Sequence, residues 1–206
     1  MMNIHENCDF SPMKEQIKGQ LRKMIDDISA IVDKLDDNDG GCMLSSLEQV
    51  QRKFSRVQSA AGAFYLNCYL SPYTSKYNEL STALLHLSER KIGALIVVER
   101  EEPLDAIIRH GIPIGAAVSH ALLESIFYPG NPLHDGAVWV KGDTIVTASN
   151  VLPLSSSSVD KQKFGTRHRA ALGLSERSDA LVLVVSEETG AASLALDGHV
   201  YPVILH

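Results

Sequence analysis

Residues 181–204 read LVLVVSEETGAASLALDGHVYPVI. Three strand-sized apolar runs stand out: Leu181–Val185, Ala192–Leu196 and Val200–Ile204. Gly190 separates the first two, and Asp197-Gly198 separates the last two. Short apolar runs divided by Gly and Asp-Gly turns predict consecutive hairpins. Hairpins pair neighbouring strands antiparallel, so the sheet is predicted to be mixed or largely antiparallel rather than doubly wound and parallel.

Working backwards, strands are predicted at Ala137–Val140 and Thr144–Ser149, with Lys141-Gly142-Asp143 as the turn. A further strand covers Ile92–Glu99, where Ile and Val are dense. Helices are expected around Ser75–Arg90, briefly over Pro103–His110 ending at Gly111, over Ser119–Phe127, and from near Thr166. Pro129-Gly130-Asn131-Pro132 enforces a loop. The expected class is α/β, with a mixed, largely antiparallel central sheet flanked by helices.

Residues 11–70 follow a different grammar. Ser11-Pro12 places a capping hydroxyl before a proline at the first helical position. Ile17, Leu21, Met24, Ile28, Ile31 and Leu35 then alternate in spacing between four and three, a heptad seam. Asn38-Asp39-Gly40-Gly41 ends this helix, and Ser45-Ser46-Leu47-Glu48 reads as a capping box opening a second. Its seam runs Leu47, Val50, Phe54, Val57, Ala61, Phe64 and Cys68, and Ser71-Pro72 stops it. The predicted organisation is a helical hairpin over residues 1–70, for oligomerisation or regulation, and a mixed α/β domain over 71–206.

Composition narrows the function. The chain has 206 residues, 45% of them hydrophobic, and a net charge of -6. A bulk electrostatic grip on a nucleic acid polymer or an anionic membrane is therefore not expected, although a local basic pocket is compatible with the charge. Cys8, Cys42 and Cys68 are odd in number and lack paired metal-ligand spacing, so they read as reduced thiols. The N-terminus has neither a basic nor an apolar region of a signal peptide, and no apolar run is membrane-length. A cytoplasmic protein is expected.

Neither a P-loop nor a Gly-x-Gly-x-x-Gly fingerprint is present, and Gly-x-Ser-x-Gly and His-Glu-x-x-His are absent too. Three clusters remain. In His134-Asp135-Gly136-Ala137, the glycine admits close backbone approach and the carboxylate is a hard oxygen ligand; a plain Asp-Gly turn is the simpler alternative. Gly165-Thr166-Arg167-His168-Arg169 opens a helix, where free N–H groups, the helix dipole and two guanidinium groups suit phosphate. Its alternative is a basic surface turn paired with Glu176 or Asp179. Ser186-Glu187-Glu188-Thr189-Gly190 ends an apolar strand, either as a solvated turn or as the completion of a metal site with Asp135.

Taken in order, Leu133-His134-Asp135-Gly136-Ala137, Leu152-Pro153-Leu154-Ser155, Gly165 to Ala171 and Val185 to Gly190 resemble the bacterial diadenylate cyclase (DAC) domain. The likeness spans roughly residues 75–205, and the two-helix extension is similar to the short, sporulation-type form. The resemblance implies an enzyme that joins two ATP molecules into cyclic di-AMP, with Mn2+ or Mg2+. On that basis Asp135 would be catalytic, binding the metal and positioning the attacking 3′-hydroxyl, and Glu188 would be the second metal ligand. Gly136 and Ala137 would line the nucleotide, and Leu152 would meet adenine through its backbone. Thr166, Arg167, His168 and Arg169 would hold the triphosphate. Ser186 and Glu187 would approach the phosphates, with His134 beside Asp135. One domain would hold one ATP, so two copies would face each other in a dimer, with the helices available for a larger homo-oligomer. A non-catalytic adenine-nucleotide sensor using the same pocket is the alternative.

Overall fold

The computed structural model describes residues 11–36, 43–109, 111–156 and 165–203. Two long helices come first, α1 (Ser11–Asp36) and α2 (Met43–Leu70), followed by α3 (Tyr77–Glu89). The rest alternates: β1 (Ala94–Val98), β2 (Ile112–Ala117), α4 (His120–Phe127), β3 (Ala137–Lys141), β4 (Thr144–Asn150), α5 (Thr166–Ser175), β5 (Leu181–Val185), β6 (Ala192–Leu196) and β7 (His199–Val203). The strands make one seven-stranded sheet in the order β2-β4-β3-β1-β5-β6-β7. Among the described residues, β1 and β3 pair in parallel and every other neighbouring pair is antiparallel. The α/β class with a largely antiparallel sheet is therefore the observed one.

Burial on both faces explains why β1 and β5 are continuous apolar runs. Ala94, Ile96 and Val98 share one face with Leu181 and Leu183. There they meet Leu80, Leu84 and Leu87 of α3, Leu123 and Phe127 of α4, and Leu66 and Leu70 from the end of α2. Leu95, Val97, Val182 and Val184 occupy the other face with Ala170, Ala171 and Leu174 of α5. The sheet is the middle of three layers, and the last turn of α2 belongs to its core.

That last turn continues into a polar joint. Thr74 Oγ1 and Ser75 Oγ donate to the two carboxylate oxygens of Asp143, at 2.9 and 2.6 Å, and the Ser75 N–H adds a bond of 2.7 Å. These bonds, the hydroxyl of Ser75 first, hold the Asp143 carboxyl below its ordinary range. Arg100 Nη2 donates to the Tyr73 hydroxyl at 2.8 Å, with its guanidinium over the Tyr73 ring. The start of α3, the β3–β4 turn and the end of β1 are thus tied at one place.

Several expectations are corrected. Residues 103–109 do not form a helix. They turn, bury Leu104 and Ile108 against the sheet, and pair Arg109 with Val151 in an isolated bridge. Strand β2 was not anticipated. The capping box does not open α2, which begins two residues earlier at Met43. The seams are only partly buried: Met24 and Val57 are covered, whereas Leu21, Ile28, Leu47 and Phe54 remain exposed. Cys68 is disulfide-bonded, which overturns the reading of three reduced thiols; Cys8 and Cys42 lie outside the described residues. So do the Asn38–Gly41 helix stop, His110 and Ile204. Among the described residues, no helix is long and apolar enough to cross a membrane.

Candidate active site

Strand direction locates the site. Because β3 is parallel to β1 while β4 and β5 are antiparallel to their neighbours, β1 and β3 begin where β4 and β5 end. At this end of the sheet lies an open cavity of about 920 Å³. Its wall takes Asp135 and Gly136 from the approach to β3, and Ser149, Asn150, Val151 and Leu152 from the exit of β4. Gly165, Thr166, Arg167 and His168 come from the start of α5, and Ser186, Glu187 and Glu188 from the exit of β5. Segments that are far apart in sequence converge because the topology stacks their strand ends.

Gly136 is the tightest point of the wall. Its φ is +90°, a conformation that L side chains rarely adopt, and a Cβ there would lie 2.6 Å from the Asn150 carbonyl. Glycine therefore lets the Asp135-Gly136 backbone lie against β4 and leaves Asp135 exposed on the cavity wall. Asn150 secures the contact from the other side. Its buried Nδ2 donates to the Ala137 carbonyl at 2.7 Å, and its Oδ1 accepts from Thr147 Oγ1 at 2.9 Å. Ser149, beside it, holds a left-handed φ of 55°.

The phosphate-suited end is the start of α5. Gly165 caps the helix in an extended conformation without a side-chain acceptor. The N–H groups of Thr166 and Arg167, in the first turn, have no intrahelical partner by helix geometry. Arg167 Nη1 donates to Glu187 Oε2 at 2.6 Å, so the arginine pairs with neither Glu176 nor Asp179. Glu176 instead accepts from Ser155 Oγ, and Asp179 accepts from the Glu101 and Glu102 N–H groups. Burial holds the His168 imidazole below its ordinary pKa.

On the third side, Ser186 shapes its own turn. Its hydroxyl accepts from the Thr189 N–H at 3.3 Å, and its carbonyl accepts from the Gly190 N–H at 2.9 Å. This turn leaves Glu187 and Glu188 exposed on the cavity wall. Asp135 and Glu188 thus line the same cavity from opposite segments. Among the described residues, no three His, Cys, Asp or Glu side chains gather as a ready-made metal cage. Two carboxylates fit a magnesium-type ion, which takes one or two protein carboxylates and completes its shell with water and substrate phosphate.

Most of the expected residues meet here: Asp135, Gly136, Leu152, Thr166, Arg167, His168, Ser186, Glu187 and Glu188 line the cavity. Ala137 and Arg169 do not. Ala137 is fully buried behind the wall, where its carbonyl receives Asn150. Arg169 offers its backbone carbonyl to the Ser155 N–H at 3.0 Å, fastening the Leu152–Ser155 segment to α5. His134 turns Nδ1 toward the Asn131 carbonyl at 2.5 Å. Sequence reasoning missed Ser149, Asn150 and Val151; a polar pair breaking a strand at its end was the one available signal.

Comparison with known proteins gives the site a context. The family described as "DisA bacterial checkpoint controller nucleotide-binding" matches residues 81–200. The family described as "Diadenylate cyclase CdaS, N-terminal" matches residues 4–73. A Bacillus thuringiensis protein named diadenylate cyclase CdaS is 50% identical, over 94% of this chain and 98% of its own length. A Bacillus subtilis protein named cyclic di-AMP synthase CdaS is 46% identical, over 97% and 96%. A Bacillus cereus crystal structure, described as a hypothetical membrane spanning protein, superposes with a TM-score of 0.87 at 49% identity, covering 94% of this chain and 95% of its own.

Proposed function

Because the chain belongs to the diadenylate cyclase family, we propose that it joins two ATP molecules into cyclic di-AMP and releases two pyrophosphates. The observation that carries this reading is one cavity in which two carboxylates not paired with an arginine among the described residues, Asp135 and Glu188, line the wall together with the start of α5, its Arg167 bound to the third carboxylate, Glu187, and His168 beside it. A pure nucleotide sensor does not need the paired carboxylates, whereas metal-assisted transfer does. The cavity volume of about 920 Å³ suits a nucleotide-sized ligand.

The chain's own residues divide the work. The N–H groups opening α5 and the Arg167 guanidinium receive the phosphates and stabilise the charge that develops during transfer. The Leu152 backbone faces the adenine, and Gly136 gives the nucleotide close passage. Asp135 orients the 3′-hydroxyl for attack on the α-phosphate of a second ATP. Mg2+ or Mn2+ held by Asp135 and Glu188 would supply charge neutralisation and orientation of the phosphates. Each cavity holds one ATP and the product contains two nucleotides, so two chains meet cavity to cavity about a two-fold axis. Positioning is then the main source of rate. The exposed apolar residues of α1 and α2 offer a second contact for a larger homo-oligomer, and the reaction belongs in the cytoplasm, where ATP is made.

Purified protein incubated with ATP and Mn2+ is expected to yield cyclic di-AMP and pyrophosphate on chromatography. ADP, AMP or no turnover would sink the reading. Asp135→Asn is expected to lower product formation at least about a hundredfold, the scale on which a positioned catalytic group acts, while the circular dichroism spectrum stays unchanged.

A further inference from the structure

Gly93 lies just ahead of β1, and no cavity-wall atom belongs to it. It nevertheless sits directly beneath the arginine of the cavity. A Cβ built on Gly93 would lie 2.7 Å from Arg167 Cζ, closer still to Arg167 Nη1, and 3.0 Å from Glu187 Oε2. Three segments therefore meet at one point: the approach to β1, the first turn of α5 and the turn after β5. The guanidinium rests flush on a glycine backbone while the Glu187 carboxylate holds one of its nitrogens at 2.6 Å.

We infer that Gly93 and Glu187 together form a seat that fixes Arg167 in its phosphate-receiving orientation, an inference that rests on the nucleotide reading of the cavity. Neither part suffices alone. The Glu187 side chain is 64% exposed, and an ion pair to so wet a carboxylate is weak and easily screened. A long, unsupported arginine would lose rotamer entropy on meeting a phosphate. Contact with the Gly93 backbone removes the alternatives below the guanidinium, and the carboxylate fixes its rotation. Arg carries five N–H donors in a rigid fork, so engaging Nη1 leaves the remaining donors for phosphate oxygens. The seat also accounts for an acidic side chain lining an anion pocket: Glu187 faces Arg167, and its charge is matched before any phosphate arrives. Gly93 and Glu187 are positioning residues; Arg167 is the group that touches substrate.

The test is a double-mutant cycle read on binding and on kinetics. The probe is 3′-deoxy-ATP, which lacks the attacking hydroxyl and so binds without turnover. Gly93→Ala and Glu187→Ala are each expected to weaken its binding by roughly fivefold, the ceiling for an exposed ion pair, and to raise the KM for ATP more than they lower kcat. Glu187→Gln, which keeps an acceptor oxygen, should recover part of the loss. In an Arg167→Ala background, both changes should have no further effect, because the residue they act through is gone. Undiminished effects in that background would overturn the inference, as would single variants that bind like wild type. If Gly93→Ala fails to fold, the Glu187 arm of the cycle still decides. Wild-type protein that binds 3′-deoxy-ATP but makes no cyclic di-AMP would refute the cyclase reading and leave the seat standing.

Discussion

His168 is the residue at which pH enters the site. Burial lowers its pKa from an ordinary value near 6.5, so the ring is neutral at neutral pH. Without ligand, this affects stability in one direction. The folded state refuses a proton that the unfolded chain accepts, so stability is undiminished above about 6.5 and declines as pH falls from there toward the lowered folded value. A bound triphosphate opposes this effect, because negative charge favours the imidazolium. Binding of 3′-deoxy-ATP should therefore tighten as pH falls from about 8 to 6, with proton uptake measurable by calorimetry in buffers of different ionisation enthalpy. His168→Gln should abolish the uptake. Unchanged uptake in that variant would remove His168 from the phosphate end. At this scale the sequence was informative where chemistry has a signature: Arg167 stood out by its type and neighbours at a helix start, whereas Asp135 and Glu188 each had a plain turn as an alternative and were singled out only by the family resemblance. Gly93 and Asn150 were not, since what matters about them is which backbone they touch.

Two histidine–carboxylate contacts tie α3 to α4, the helix that precedes the loop carrying Asp135. Glu79 accepts from the His120 N–H at 2.8 Å, at the start of α4, and contacts the His120 ring at 2.7 Å. The backbone bond is the first cause of the lowered Glu79 pKa, and the ring bond is the second. Glu124, on the same helix, contacts His86 at 2.7 Å and Arg90 at 3.0 Å. A carboxyl whose folded pKa is depressed contributes stability that is present above its unfolded pKa and is lost as pH falls through the lowered folded value. Replacing Glu79 with Gln should speed amide exchange over residues 120–127 at neutral pH and flatten the acid dependence of that exchange. Equal exchange in both proteins would show that α4 is held by its apolar face alone. Elements with strong periodicity or clean turns were legible, as with β5 to β7. Strand β2 was hidden for physical reasons. Pro113 and Gly115 both disfavour a strand by composition, and its pairing with β4 breaks register between Pro113 and Ala116. Pro103 at the start and Gly111 at the end bounded an expected short helix, but burial of Leu104 and Ile108 against the sheet prevailed over local propensity.

The whole molecule couples its helical extension to its sheet more closely than a boundary at residue 70 suggests. Leu66 and Leu70 are 1% and 0% exposed within the core beneath β1 and β5. A truncation removing residues 1–70 would therefore open the core, with a cost of about 2–5 kcal/mol for each large apolar side chain lost. Removing only residues 1–42 leaves α2 rooted. That shorter truncation is expected to lower the number of chains per particle, taken from the light-scattering mass divided by the chain mass, and to raise specific activity, if α1 restrains the cavity-to-cavity encounter. An unchanged chain number and activity would relieve α1 of both roles. Rooting α2 at one end also makes it a lever. Its 28 residues span about 42 Å at 1.5 Å per residue. A tilt of 10° at Leu70 therefore sweeps the Met43 end through about 7 Å. Leverage also runs inward: a push at the far end reaches the sheet reduced in travel and multiplied in force, at the joint where Thr74 and Ser75 grip Asp143.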